Sequence, residues 1–122
     1  MLNIKPKIGI VPADVAGKLS GIEFLRSLQS GDNPAPPYNE TADVWPVSFE
    51  VGKVGFEGKP SKRFYNPMGI VHGGWLAGLL DTVMACAVQS TLDAGYMYTT
   101  IELKTVFVKA VTEKTGPIRA EG

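Results

Sequence analysis

From His72 to Leu92, "HGGWLAGLLDTVMACAVQSTL", the chain carries one charged side chain, Asp81. Trp75, Leu76, Leu79, Leu80, Val83, Met84, Ala87 and Val88 recur at three- and four-residue spacing, the apolar stripe of a helix. The other side holds Gly74, Ala77, Gly78, Ala85 and Leu92, which is not a solvated face. A helix apolar nearly all round has to be covered, so the spacing predicts a central helix over 72–92 gripped by a curved sheet. A membrane span is the competing reading of such a run. His72, Asp81, Gln89 and the glycines dilute a stretch only just long enough to cross, so no membrane partner is expected.

With 122 residues, 44% of them hydrophobic, the chain reads as a single domain over 1–122. Twelve Lys and Arg balance twelve Asp and Glu, and no window is basic enough to track phosphates, so no nucleic-acid partner is expected. One cysteine, Cys86, excludes an internal disulfide and suggests a reducing, cytoplasmic setting. "MLNIKPKIGIVPADV" has no apolar core long enough for a signal peptide. His72 is the sole histidine. A structural zinc site takes about four Cys/His ligands and a catalytic one about three protein ligands, so no metal is expected within one chain. There is no "GxSxG" elbow, no "GxGxxG" and no phosphate-binding P-loop.

Residues 1–13 look extended, with Pro6 and Pro12 opposing a helix. "DVAGKLSGIEFLRSLQSGD" spaces Leu19, Ile22, Leu25 and Leu28 at a helical period, and Gly31 suits the stop. "NPAPPYNE" reads as a proline-rich surface wrap. "PVSFEVGKVGFEG" reads as a hairpin turning at Gly52-Lys53, with Val47, Phe49, Val51, Val54 and Phe56 alternating. "YTTIELKTVFVKAV" predicts a long strand with Ile101, Leu103 and Phe107 on one face, and "GPIRAEG" starts another.

Asp81 lies opposite the centre of the large-residue stripe, beside Gly74, Ala77, Gly78 and Ala85, at about 100° per residue. Small neighbours there imply close packing of another chain or a ligand. A helix-surface position is the ordinary alternative. However, no Lys or Arg stands within a turn, and a buried carboxylate without a partner costs several kcal/mol. Gly73 and Gly74 serve either a tight helix start or chemistry. The first N–H groups of a helix have no intrahelical partner and sit at its positive end. A bare Gly73 N–H there would steady the oxyanion formed on attack at an acyl carbon. With no nucleophilic serine or cysteine in this arrangement, water is the attacker. His72 alone reads as a helix-entry or structural histidine more often than as a base, and Asn66 before Pro67 is as readily a turn cap. Cys86 reads as core.

The element order, with "NPMGIVHGG", a buried helix holding one Asp and the strand "TTIELKTVFVKAV", resembles the hotdog-fold acyl-CoA thioesterases of the phenylacetate-pathway (PaaI-like) family. The resemblance covers most of the chain, and "GIEFLRSLQSGDNPAPP" looks like a bacterial branch. N-P-x-G-x-V-H-G-G with Asp eight residues past the first of the two glycines is its specific part. It implies an α+β hotdog fold: an antiparallel sheet wrapped around a long central helix, preceded by an N-terminal helix. It also implies a homodimer or dimer of dimers with active sites shared between subunits. Asp81 would then be the general base or the nucleophile, and Gly73 N–H of the other subunit would hold the thioester oxygen. Asn66 would orient the water or the acyl group, His72 would shape the loop, and Thr100, or Thr99, would assist the water. Gly74 would lie on the substrate side, where Trp75, Met68 and Tyr65 either line an acyl pocket or pack the core. No cofactor is implied; coenzyme A enters as part of the acyl-CoA substrate. Family members continue past the segment matching "TGPIRAEG" into a further strand pair with a basic turn. The expectation is therefore a truncated hotdog domain lacking those strands. A non-catalytic acyl-CoA-binding or scaffold subunit is the alternative function. Dehydratase chemistry fits less well, for want of a His-Phe-Pro-type motif.

Overall fold

The computed structural model describes residues 6–122. Strands β1 (Val44–Glu50) and β2 (Lys53–Gly58) form an antiparallel hairpin, and β3 (Ile118–Glu121) pairs with the other edge of β2. The architecture is α+β: a three-stranded antiparallel sheet, ordered β1-β2-β3, carrying a long helix α4 (Gly73–Gln89). Trp75, Leu79 and Val83 are the buried residues of α4, and they meet Val44, Phe49, Val54 and Phe56 of the sheet in one core. The four-residue spacing of those helix side chains puts them on one face, and that face docks. Ser90 then ties helix to hairpin: its hydroxyl donates to Ala87 O at 2.6 Å and accepts from Gly52 N at 2.8 Å.

Several expectations need correction. The helix read through "DVAGKLSGIEFLRSLQSGD" is two helices, α1 (Ala13–Ala16) and α2 (Gly21–Ser30). Ser20 starts the second with a reciprocal cap: its hydroxyl accepts from Glu23 N, and Glu23 Oε2 accepts from Ser20 N. That pairing favours a fresh helix start over continuation. Those bonds hold the Glu23 carboxyl below its usual pKa. Gly31 supplies the left-handed stop at φ 86°. Of the stretch read as extended, residues 1–5 lie outside the described residues, while Ile8 bridges Ala35. The proline-rich wrap contains a short helix, α3 (Pro37–Ala42), with Pro at its first position, where the missing N–H costs nothing.

The hairpin loop is Val51-Gly52, one residue earlier than read, because Glu50 pairs with Lys53. Gly52, at φ 78°, is the second loop residue. The register shifts between Pro46 and Ser48, so Val47 is an extra residue and its side chain is exposed while Phe49 is buried. A bulge of this kind breaks the alternation of faces.

The larger correction concerns residues 98–111. They form no strand; Ile101 is 94% and Val108 91% exposed, and Phe107 is half exposed. Alternation marks a side-chain pattern, but a strand exists only where a neighbour supplies ladder partners for its N–H and C=O groups. β2 is already paired on both edges, and no strand of the described residues lies along 98–111. The central helix is likewise covered on fewer sides than expected, since Met84 and Val88 are exposed. Among the described residues no helix is long and apolar enough to cross a membrane, and no group of three or more His, Cys, Asp or Glu could hold a metal ion.

Candidate active site

Helix α4 presents a second face to a cavity of about 1120 Å³ that Trp45, Phe49 and Phe56 of the sheet also line. Asp81, Thr82, Ala85, Cys86 and Gln89 line it from the helix, at the one-four-five-eight offsets of a single helical face. Phe24, Leu28, Pro34 and Tyr38 close it from the N-terminal side, and Tyr98, Thr99 and Thr100 from the segment after the helix. Asp81 is the one charged side chain among the residues lining this chamber. Its Oδ1 accepts a hydrogen bond from Thr100 Oγ1 at 2.8 Å. Thr100 thus meets Asp81, with Thr99 beside it on the same wall.

Burial, and next the charge of Asp81, push the Cys86 thiol up to about 11. At neutral pH it stays a thiol, and only the thiolate is nucleophilic. Cys86 thus lines the cavity as a small apolar group. Tyr98 is raised by burial first, then by Cys86 and Asp81.

The glycine end of the helix faces elsewhere. Gly73 lines a smaller cavity of about 360 Å³ with Asn66, Leu76 and Phe107, and the Phe107 ring lies where a Cβ at position 73 would touch it. His72 is the N-cap: its Nδ1 accepts from Gly74 N at 2.8 Å, which places the proton of a neutral ring on Nε2. The amide of Gly74 is therefore occupied, whereas Gly73 N–H makes no hydrogen bond among the described residues. Asn66 Oδ1 accepts from Met68 N at 2.9 Å and Ile70 N at 3.3 Å, holding the turn that leads into the helix. Eight residues at about 1.5 Å rise separate Gly73 from Asp81 by about 12 Å along one helix. One acyl carbon cannot touch both groups of a single chain.

Three residues left open between an acyl pocket and the core do not line the chamber of Asp81. Trp75 is buried in the core, stacks on Phe64 at 5.3 Å and donates its indole N–H to Ala42 O at 2.7 Å. Tyr65 packs against the core and its hydroxyl accepts from Glu113 N at 2.9 Å. Met68 projects from the turn, 80% exposed, and lines neither cavity. Their aromatic or flexible character suits a pocket and a core equally, and long-range partners decide between them. The actual chamber walls come from α2, α3 and the 34–36 stretch, which sequence reading left as lead-in and wrap. The Pro36-Pro37 pair was the available signal for α3.

Residues 68–121 match the thioesterase superfamily. Among solved structures, a candidate thioesterase of Ralstonia eutropha JMP134, related to phenylacetic acid degradation, is 26% identical with a TM-score of 0.71, over 79% of this chain and 73% of that one. A conserved protein of Pseudomonas aeruginosa is 28% identical with a TM-score of 0.64, over 70% of this chain and 66% of that one. The PaaI protein from the E. coli phenylacetic acid degradation operon shares the fold at 23% identity and a TM-score of 0.58, over 84% of this chain and 70% of that one. No curated protein matches the chain. Residues 68–121 are thus similar to the thioesterase superfamily, and the chain carries the α+β hotdog fold of its PaaI-like structural neighbours.

Proposed function

We propose that the protein hydrolyses acyl-CoA or aryl-acyl-CoA thioesters, with Asp81 as general base and Gly73 N–H as oxyanion donor. The observation that carries this reading is the lone carboxylate of Asp81 on the wall of a largely apolar chamber, held by Thr100. A water on Asp81 attacks the thioester carbon and passes its proton to the carboxylate. The oxyanion sits on Gly73 N–H, the C–S bond breaks, and the proton returns to the departing thiolate to give a free thiol and a carboxylic acid. A preorganised backbone donor is worth about 10²–10³ in rate. His72, by occupying the amide of Gly74, leaves Gly73 as the first available donor. No cofactor enters the scheme.

Because Gly73 and Asp81 of one helix lie too far apart, each site takes its donor from one protomer and its base from the partner, in a homodimer. The exposed apolar side chains of 101–108 suit such a pairing. Gly73→Pro deletes the N–H at a helix position that tolerates proline, with His72 already extended at ψ 133° as a pre-proline residue must be. Asp81→Asn deletes the base. Each variant alone is expected to be inactive. Unfolded and refolded together, they should recover about a quarter of wild-type thiol release, because half the dimers are mixed and each mixed dimer has one intact site. No recovery would sink the shared site. Wild-type chain that binds coenzyme A thioesters without releasing thiol would instead favour a binding subunit.

A further inference from the structure

The chamber holds a phenol that comes from outside the stretch matching the superfamily. Tyr38, on the short helix α3, rests its hydroxyl on Gly78 of α4, where a Cβ at position 78 would overlap the phenol oxygen. Gly78 is three residues before Asp81, on the same face and about 4.5 Å away along the axis. Tyr38 and Asp81 line the same cavity. Burial, then the charge of Asp81, raise the phenol above its usual pKa, so its proton is in place at neutral pH. Among the described residues that hydroxyl makes no hydrogen bond, while Thr100 already occupies Oδ1 of the carboxylate. Gly78 is therefore one member of the small-residue stripe whose close neighbour is neither a ligand nor a second chain but a side chain of its own.

We propose that Tyr38 is a positioning residue for the attacking water: its phenol and the second carboxylate oxygen of Asp81 hold that water between them, on the side opposite Thr100. The inference rests on the thioesterase reading above. The water donates one hydrogen to Asp81 and accepts one from Tyr38, which fixes the lone pair that meets the acyl carbon. Tyr38 keeps its proton throughout.

The test is steady-state thiol release by the full chain with benzoyl-CoA and hexanoyl-CoA. Tyr38→Phe removes one oxygen and nothing else. It is expected to lower kcat about tenfold with KM unchanged, since misplacing a reacting group by even about 1 Å costs as much or more. Gly78→Ala should lower kcat likewise, because its methyl displaces the hydroxyl. Tyr38→Phe/Gly78→Ala should be no slower than Tyr38→Phe alone, since the two changes act through one contact. A wild-type kcat in Tyr38→Phe, an effect on KM alone, or losses that multiply in the double variant would each overturn the assignment. Asp81→Asn, run in parallel, separates the two levels. If it is inactive while Tyr38→Phe is normal, only the Tyr38 role fails. If it keeps full activity, or the wild type releases no thiol, the thioesterase reading falls and Tyr38 with it.

Discussion

Asp81→Asn is expected to reduce thiol release by about three orders of magnitude, within the range that a positioned general base supplies. The change is nearly isosteric, and its side-chain oxygen still accepts from Thr100 Oγ1, so the hydrogen bond at 2.8 Å has a replacement. The fold should therefore survive, and circular dichroism and molecular mass should match the wild type. The size of the effect follows from the setting. Asp81 is the one charged side chain on the chamber wall, so no second carboxylate stands ready to take the proton. The thiol of Cys86, held near 11, stays protonated and gives no alternative nucleophile. Full turnover in the amide variant would mean that the reaction happens elsewhere.

Trp75→Ala is expected to cost about 4 kcal/mol of stability, most of what a small domain has in reserve. Three losses coincide. The indole leaves a void between α4 and the sheet, its stack on Phe64 disappears, and the carbonyl of Ala42 loses a buried donor. Gly58 of β2 faces the ring so closely that a Cβ there would overlap it, and a side chain of any other shape fits the gap less well. Trp75→Phe keeps much of the area and the stack but orphans the carbonyl, for about 1–3 kcal/mol. Urea unfolding monitored by far-ultraviolet circular dichroism checks both. A wild-type midpoint for Trp75→Ala would contradict the core placement.

The features legible in the sequence were those written in contiguous windows. Helix α4 is announced by its own three-four spacing, and the hairpin by alternating residues around a glycine turn. Asp81 stood out because a charge within an apolar helix has to be accounted for locally. What failed depended on partners distant in the chain. The alternation of 98–111 is a true surface pattern, yet pairing is granted by a neighbouring strand and not by the segment itself. Trp75 stood open between an acyl pocket and the core because nothing nearby shows that Ala42 will accept its N–H. The meeting of Tyr38 with Gly78 joins two helices from opposite halves of the chain. A small residue in a helix signals that something approaches, without naming it.

The bare stretch after the central helix has a consequence for dynamics. Its amide hydrogens are shielded by no ladder, so deuterium should replace them within seconds, while those in the middle of α4 persist far longer. Dilution and concentration then become an assay. If a second molecule docks along residues 98–111, isotope uptake there will slow as protein is added, and the midpoint of that slowing gives the affinity of self-association.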